Sequence, residues 1–166
     1  MQLYDRIIPT PQKLNVTEKK MDLGAFGKVA YRVEISDAPF SLEKAAIRLK
    51  DELADRFGCK ESDGFVITLQ GGEAPEGVKN PEQAYAIVAD EKGITATAFG
   101  STGAYYAVTT LLQVLKAEDG VFSIPAFDLL DYPEIAKRGH FVETRFGTDL
   151  MELEDWKQVV DAMVDV

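Results

Sequence analysis

Ala84-Tyr85-Ala86-Ile87-Val88-Ala89, then Asp90-Glu91-Lys92-Gly93, then Ile94-Thr95-Ala96-Thr97-Ala98 is the stretch on which the fold turns. The two apolar runs have strand length, and the polar link between them ends in a glycine suited to the positive φ of a tight reversal. In the second run Ile94, Ala96 and Ala98 fall on one side and Thr95 and Thr97 on the other, so one face is buried and the other is not. The stretch predicts a β-hairpin.

Outward toward the C-terminus, Phe99-Gly100-Ser101-Thr102-Gly103 leads into a helix over about 102–116. Its stripe of Ala104, Ala107, Val108, Leu111, Leu112 and Leu115 makes one core face. Short strands follow at Phe122–Ile124 and Phe127–Leu130, on either side of Pro125. Toward the N-terminus come a polar loop from Gly71 to Glu82 and a strand from Phe65 to Gln70. Before these, Ser41 is placed to cap a helix, with Phe40 as a hydrophobic staple and Gly58 as the stop. That helix buries Leu42, Ala45, Ala46, Leu49, Leu53 and Phe57 and turns Glu43, Lys44, Arg48, Lys50, Asp51, Glu52 and Asp55 outward. A strand over Lys28–Ser36 points Val29, Tyr31, Val33 and Ile35 one way, and Arg6–Thr10 and Lys13–Thr17 read as short extended pieces. Hairpin-length links predict an α+β fold, a mainly antiparallel sheet with two helices packed on one face.

A different unit begins after Asp131-Tyr132-Pro133. Arg138–Glu143 reads as a strand, Gly147 and Asp149 as a turn, and Trp156, Val159, Val160, Met163 and Val164 as one face of a helix. That helix lacks a capping Gly or Asn and has Asp161 and Asp165 near its negative end. A lone strand and helix cannot bury their own apolar faces, so the expectation is a domain over 1–132 followed by the opening β/α unit of a second, truncated domain over 133–166.

The chain has 166 residues, 46% hydrophobic and 28% charged, with a net charge of −10. That balance disfavours nucleic acid and anionic membrane surfaces, which call for Lys/Arg clusters, and leaves neutral sugars, cations and proteins as partners. The single cysteine, Cys59, excludes an internal disulfide framework and a cysteine-based zinc site, and reads as a small, partly buried residue after the first helix. No apolar leader opens the chain and no run reaches membrane-spanning length. As given it reads as soluble and cytoplasmic, or secreted if a leader was removed.

Each candidate for chemistry has a plainer alternative. The Gly100-to-Gly103 turn could be a phosphate nest, but it lacks the lysine of a Walker loop and the glycine spacing of a dinucleotide fingerprint; glycines that permit a tight turn and hydroxyls that cap the helix explain it better. His140 is the only histidine and has no second ligand nearby, which argues against a metal site or a triad. Glu143 paired with Asp149 or Glu152 has the residue types of glycosidic acid–base chemistry, yet any acidic chain offers such pairs. Arg138 and Arg145 suit bidentate contact with carboxylates or vicinal hydroxyls, and a surface ion pair is the plainer reading. No cofactor is called for.

The ordered set Pro81-Glu82-Gln83-Ala84-Tyr85-Ala86-Ile87-Val88-Ala89, Gly93-Ile94-Thr95-Ala96-Thr97-Ala98, Gly103-Ala104-Tyr105-Tyr106-Ala107-Val108-Thr109-Thr110-Leu111-Leu112-Gln113-Val114-Leu115, Ile124-Pro125, Asp131-Tyr132-Pro133 and Lys137-Arg138-Gly139 resembles the small domain before the catalytic barrel in glycoside hydrolase family 20, the β-N-acetylhexosaminidases. Ile8-Pro9-Thr10-Pro11-Gln12-Lys13-Leu14 is similar to the start of that domain. The resemblance implies that Arg138–Glu143 is the first strand, and the Trp156 helix the first helix, of a (β/α)₈ barrel, whose active-site residues lie at strand C-termini. It also implies that Arg138 reaches hydroxyls of the terminal N-acetylhexosamine of a glycan, in a substrate-assisted reaction where the 2-acetamido oxygen attacks the anomeric carbon. The Asp-Glu pair that serves this reaction belongs to a later strand and has no match here, so the chain by itself is expected to be inactive.

Family members often continue from Arg-Gly to Asp-x-x-Arg-His, whereas this chain has Glu143-Thr144-Arg145-Phe146-Gly147, with the histidine absent and the arginine displaced. The O-GlcNAc hydrolases of family 84 and the α-glucuronidases of family 67 carry a similar preceding domain. The competing reading is a stand-alone α+β module that binds carbohydrate or protein through its open sheet face or the Gly71-to-Glu82 loop.

Overall fold

The computed structural model describes residues 7–25, 27–118, 121–139 and 151–164. They fall into two compact units, Met1–Glu134 and Ile135–Val166. In the first unit the described strands are β1 (Lys13–Ala25), β2 (Ala30–Ile35), β3 (Lys60–Glu61), β4 (Phe65–Gly71), β5 (Tyr85–Asp90), β6 (Gly93–Ala98), β7 (Lys116–Glu118) and β8 (Val121–Asp131). The helices are α1 (Glu43–Asp55) and α2 (Ser101–Val114).

One sheet holds all of these strands, in the order β1-β8-β5-β6-β4-β2-β3, with β7 paired to β8. Its β1, β8, β5, β6 and β7 pairings are antiparallel, but β6–β4, β4–β2 and β2–β3 are parallel. The sheet is thus mostly antiparallel, as expected, but not purely so: its β6–β4–β2–β3 side is parallel. The cause lies in the connections: α1 stands between β2 and β4, and a long helical crossover returns the chain in the same direction. The only expected link that behaves as a hairpin is 90–93, where Asp90 pairs with Gly93 at φ 138° and Lys92 N–H bonds Asp90 Oδ1 at 2.8 Å.

The helices share one face of the sheet. Arg48 of α1 donates from Nη1 to Thr109 Oγ1 of α2 at 2.6 Å and lies 4.5 Å above the Tyr105 ring. The expected α1 stripe is buried throughout, from Leu42 to Phe57, and so is the α2 stripe from Ala104 to Leu115. Against them the sheet sets Tyr31, Ile67, Leu69, Ile87, Ile94, Phe122 and Ile124. Gly58, at φ 63°, turns the chain off α1 while the Gly58 and Cys59 amides bond back to the Ala54 and Leu53 carbonyls.

Several expectations shift locally. Helix α1 begins at Glu43 rather than at a Ser41 cap, and the Ser41 hydroxyl accepts the Glu43 N–H at 3.3 Å. Helix α2 stops at Val114, and Lys116 already belongs to β7. The piece at Lys13–Thr17 is the start of a strand that runs to Ala25. The two short strands around Pro125 are one, β8. Proline interrupts nothing there because the β1 register breaks between Val16 and Lys20, while β7 pairs only as far as Ser123 and β5 only from Phe127. Of the expected strand over Lys28–Ser36, Val29 just before β2 and Tyr31 within it are buried, but Ile35 at the end of β2 is 55% exposed.

In the second unit, α3 (Leu153–Val164) forms where the Trp156 helix was expected. Trp156, Val159 and Met163 are half-buried, and Val160 is 55% exposed. Of the expected strand 138–143, Arg138 and Gly139 have no strand pairing, and His140 to Glu143 lie outside the described residues.

Candidate functional site

Four consecutive residues lead out of the first unit, and each is held by a side chain or carries one that is held. Asp131 is the last residue of β8, where the ladder to β5 ends. Its Oδ2 accepts the Tyr85 hydroxyl at 3.1 Å and its Oδ1 accepts the Gln12 N–H at 3.1 Å. Gln12 Nε2 donates to the Tyr132 carbonyl at 3.3 Å, and Asn80 Nδ2 to the Pro133 carbonyl at 2.7 Å. Lys79 pairs with Glu134, an ion pair that holds the lysine pKa above its ordinary value. Asn80 occupies left-handed backbone at φ 47°, a conformation asparagine tolerates better than most side chains. The Tyr85 hydroxyl also lies 2.6 Å from Thr110 Oγ1 of α2, and burial drives the phenol far above its ordinary range.

Beyond this segment stands Arg138. It is exposed, and its Nη1 donates to the Ile135 carbonyl at 3.0 Å. His140, Glu143, Arg145 and Asp149 lie outside the described residues. Glu152 is exposed and stands just before α3, where its N–H bonds Asp155 Oδ2 at 2.8 Å.

The Gly100-to-Gly103 turn is built for close packing. A Cβ at Gly100 would stand 2.4 Å from the Glu82 carbonyl oxygen, and one at Gly103 2.2 Å from that of Ala84. The 3₁₀ turn Pro81–Gln83 therefore sits against the start of α2, and the Phe99 N–H bonds the Ala84 carbonyl at 3.1 Å. The glycines are explained by close approach of the chain's own backbone, whereas the expected hydroxyl cap is absent: Gly100 holds the N-cap of α2 with no side-chain cap bond. Cys59 is a free, buried thiol, and burial raises its pKa. Such a thiol is held as the unreactive protonated form. Among the described residues no helix is long and apolar enough to cross a membrane, which leaves β-barrels unaddressed.

The residues that hold 131–134 were not singled out as a group in the sequence. Tyr85 and Asp131 do lie in the segments that carry the resemblance.

The first unit is thus a mixed α+β layer whose strand β8 runs into this held segment. Residues 4–132 match Glycosyl hydrolase family 20, domain 2, and the chain belongs to that family. A β-hexosaminidase of Porphyromonas gingivalis is 23% identical over 180 aligned positions, covering 96% of this chain and 21% of that protein. The structure of a Flavobacterium johnsoniae chitobiase superposes with a TM-score of 0.67 at 23% identity, covering 84% of this chain and 22% of the chitobiase. The exo-β-N-acetylglucosaminidase of Vibrio harveyi, solved in complex with N-acetylglucosamine, gives 0.60 at 22% identity over 80% of this chain and 20% of the enzyme. The chain thus spans about a fifth of the length of these relatives.

Proposed function

We propose that this chain is the non-catalytic domain preceding the barrel of an exo-acting, β-N-acetylhexosaminidase-type glycoside hydrolase. In this reading residues 133–166 form the first strand and helix of the barrel, and the whole enzyme removes terminal N-acetylhexosamine from a glycan by the substrate-assisted retaining route. The observation that carries it is the alignment to a β-hexosaminidase over 96% of this chain, a share too large to stop at residue 132. The domain's own role is to pack beside the barrel and support it. Its missing barrel is its principal partner, and its net charge of −10 argues against nucleic acid and anionic membranes.

Arg138 is the residue of this chain that reaches the sugar. A guanidinium presents a rigid fork of donors, which suits adjacent hydroxyls. Kinetics of Arg138→Ala in the protein extended through its barrel test this. The expected result is a KM for a chromogenic N-acetyl-β-glucosaminide raised about tenfold or more, in line with a lost charged hydrogen bond of ~1.5–3 kcal/mol. An unchanged KM and kcat would remove Arg138 from the site.

A further inference from the structure

We propose that residues 7–12 form a strap that opens and closes as one unit, with Gln113 as its catch, and that its opening releases Asp131 and Tyr132 from Gln12. Strand β1 begins only at Lys13, so the strap precedes the sheet ladder. Ile7 is 2% exposed and belongs to the core, and Pro11 is buried, while Ile8, Pro9 and Thr10 between them are exposed. Side chains make the polar ties at both ends. Gln113, in the last turn of α2, accepts the Ile8 N–H at Oε1 at 2.9 Å and donates from Nε2 to the Ile8 carbonyl at 3.0 Å. A carboxamide carries an acceptor and a donor side by side, so it meets the Ile8 backbone as a neighbouring strand would. At the other end the Gln12 N–H donates to Asp131 Oδ1 at 3.1 Å and Gln12 Nε2 to the Tyr132 carbonyl at 3.3 Å.

Two features make these ends move together. Pro9 and Pro11 each fix φ, so of the three residues between Ile8 and Gln12 only Thr10 is free to rotate about it. A displacement at Ile8 is therefore carried to Gln12 rather than absorbed on the way. The hydrogen bonds at both ends are also exposed, and segments held in that way open at lower free energy than core strands, as contiguous units. The Tyr85 bond to Asp131 is part-buried and stays with the sheet. The hold of Gln12 on the exit from β8 thus depends on a catch at the far end of α2.

Native-state amide exchange on the 166-residue chain tests this, first without substitution. Across a low-denaturant series the Ile8 and Gln12 amides are expected to share one opening free energy and one denaturant dependence, both below those of the β5 and β6 amides. Gln113→Met then removes both polar atoms of the catch and keeps a good helix former of similar shape. It is expected to speed exchange at Ile8 and at Gln12 alike, each about tenfold, with β5 and β6 within about twofold. Separate openings of Ile8 and Gln12 in the unsubstituted chain overturn the inference, and so does faster exchange at Ile8 that leaves Gln12 unchanged. If Gln113→Met fails to fold, the measurement on the unsubstituted chain decides alone.

Discussion

Tyr85 of β5 stands directly across the ladder from Asp131 of β8, and its hydroxyl reaches Asp131 Oδ2 at 3.1 Å and Thr110 Oγ1 at 2.6 Å. One buried phenol therefore joins the sheet, α2 and the exit segment. Tyr85→Phe leaves the Thr110 hydroxyl buried without its tyrosine partner, so the loss exceeds that of an ordinary exposed bond. Urea unfolding of the chain is expected to show a loss of about 1–3 kcal/mol, with the m-value unchanged.

The same phenol makes stability depend on alkaline pH. Burial raises the Tyr85 pKa above its ordinary 10.0, and burial also raises Cys59 above 9.0 and Tyr31 above 10.0. For each group the unfolded chain gives up its proton at a lower pH than the folded one. Their contribution is complete below pH 9 and is lost progressively as pH rises through 9 to 10 and beyond. Melting temperature against pH should fall in that window, and more shallowly in Tyr85→Phe.

Gly103→Ala places a methyl group 2.2 Å from the Ala84 carbonyl oxygen, and Gly100→Ala one 2.4 Å from that of Glu82. Neither backbone can retreat without moving the Pro81–Gln83 turn off α2. Each substitution is expected to cost about 1–3 kcal/mol in chemical denaturation. If these positions instead served a ligand, stability would hold.

Cys59 should be inert while the chain is folded. Ellman's reagent is expected to react slowly with the native protein and with one thiol after denaturation. Rapid native labelling would contradict the burial and the raised pKa of this thiol.

What could be read in advance was what periodicity encodes. The alternation of Ile94, Ala96 and Ala98 and the α1 stripe from Leu42 to Phe57 both lie in the core, because apolar spacing and burial are the same fact. Gly58 and Gly93 sit at positive φ where stops and turns were expected. The second half of β1 escaped notice because Lys19, Lys20 and Asp22 are polar. Among the described residues it is an edge strand paired to β8 alone, and lysines there discourage a further strand from adding. The mainly antiparallel sheet was legible, but its parallel pairings among β2, β3, β4 and β6 were not, because strand direction lies in the connections and not in the strands. The holds on 131–134 rest on Gln12, Lys79, Asn80 and Tyr85, each at least 46 residues from the residue it holds, and only the fold brings them to it. For Arg138, the link to sugar came from its Arg-Gly context within the resemblance, since neither spacing nor charge distinguishes it from other surface arginines.

Hydrolysis of a chromogenic N-acetyl-β-glucosaminide, assayed side by side with the 166-residue chain and with the protein extended through a full barrel, tests the central claim most directly. The account predicts turnover by the extended protein and none by the 166-residue chain. Turnover by the shorter chain, or by neither, would contradict it.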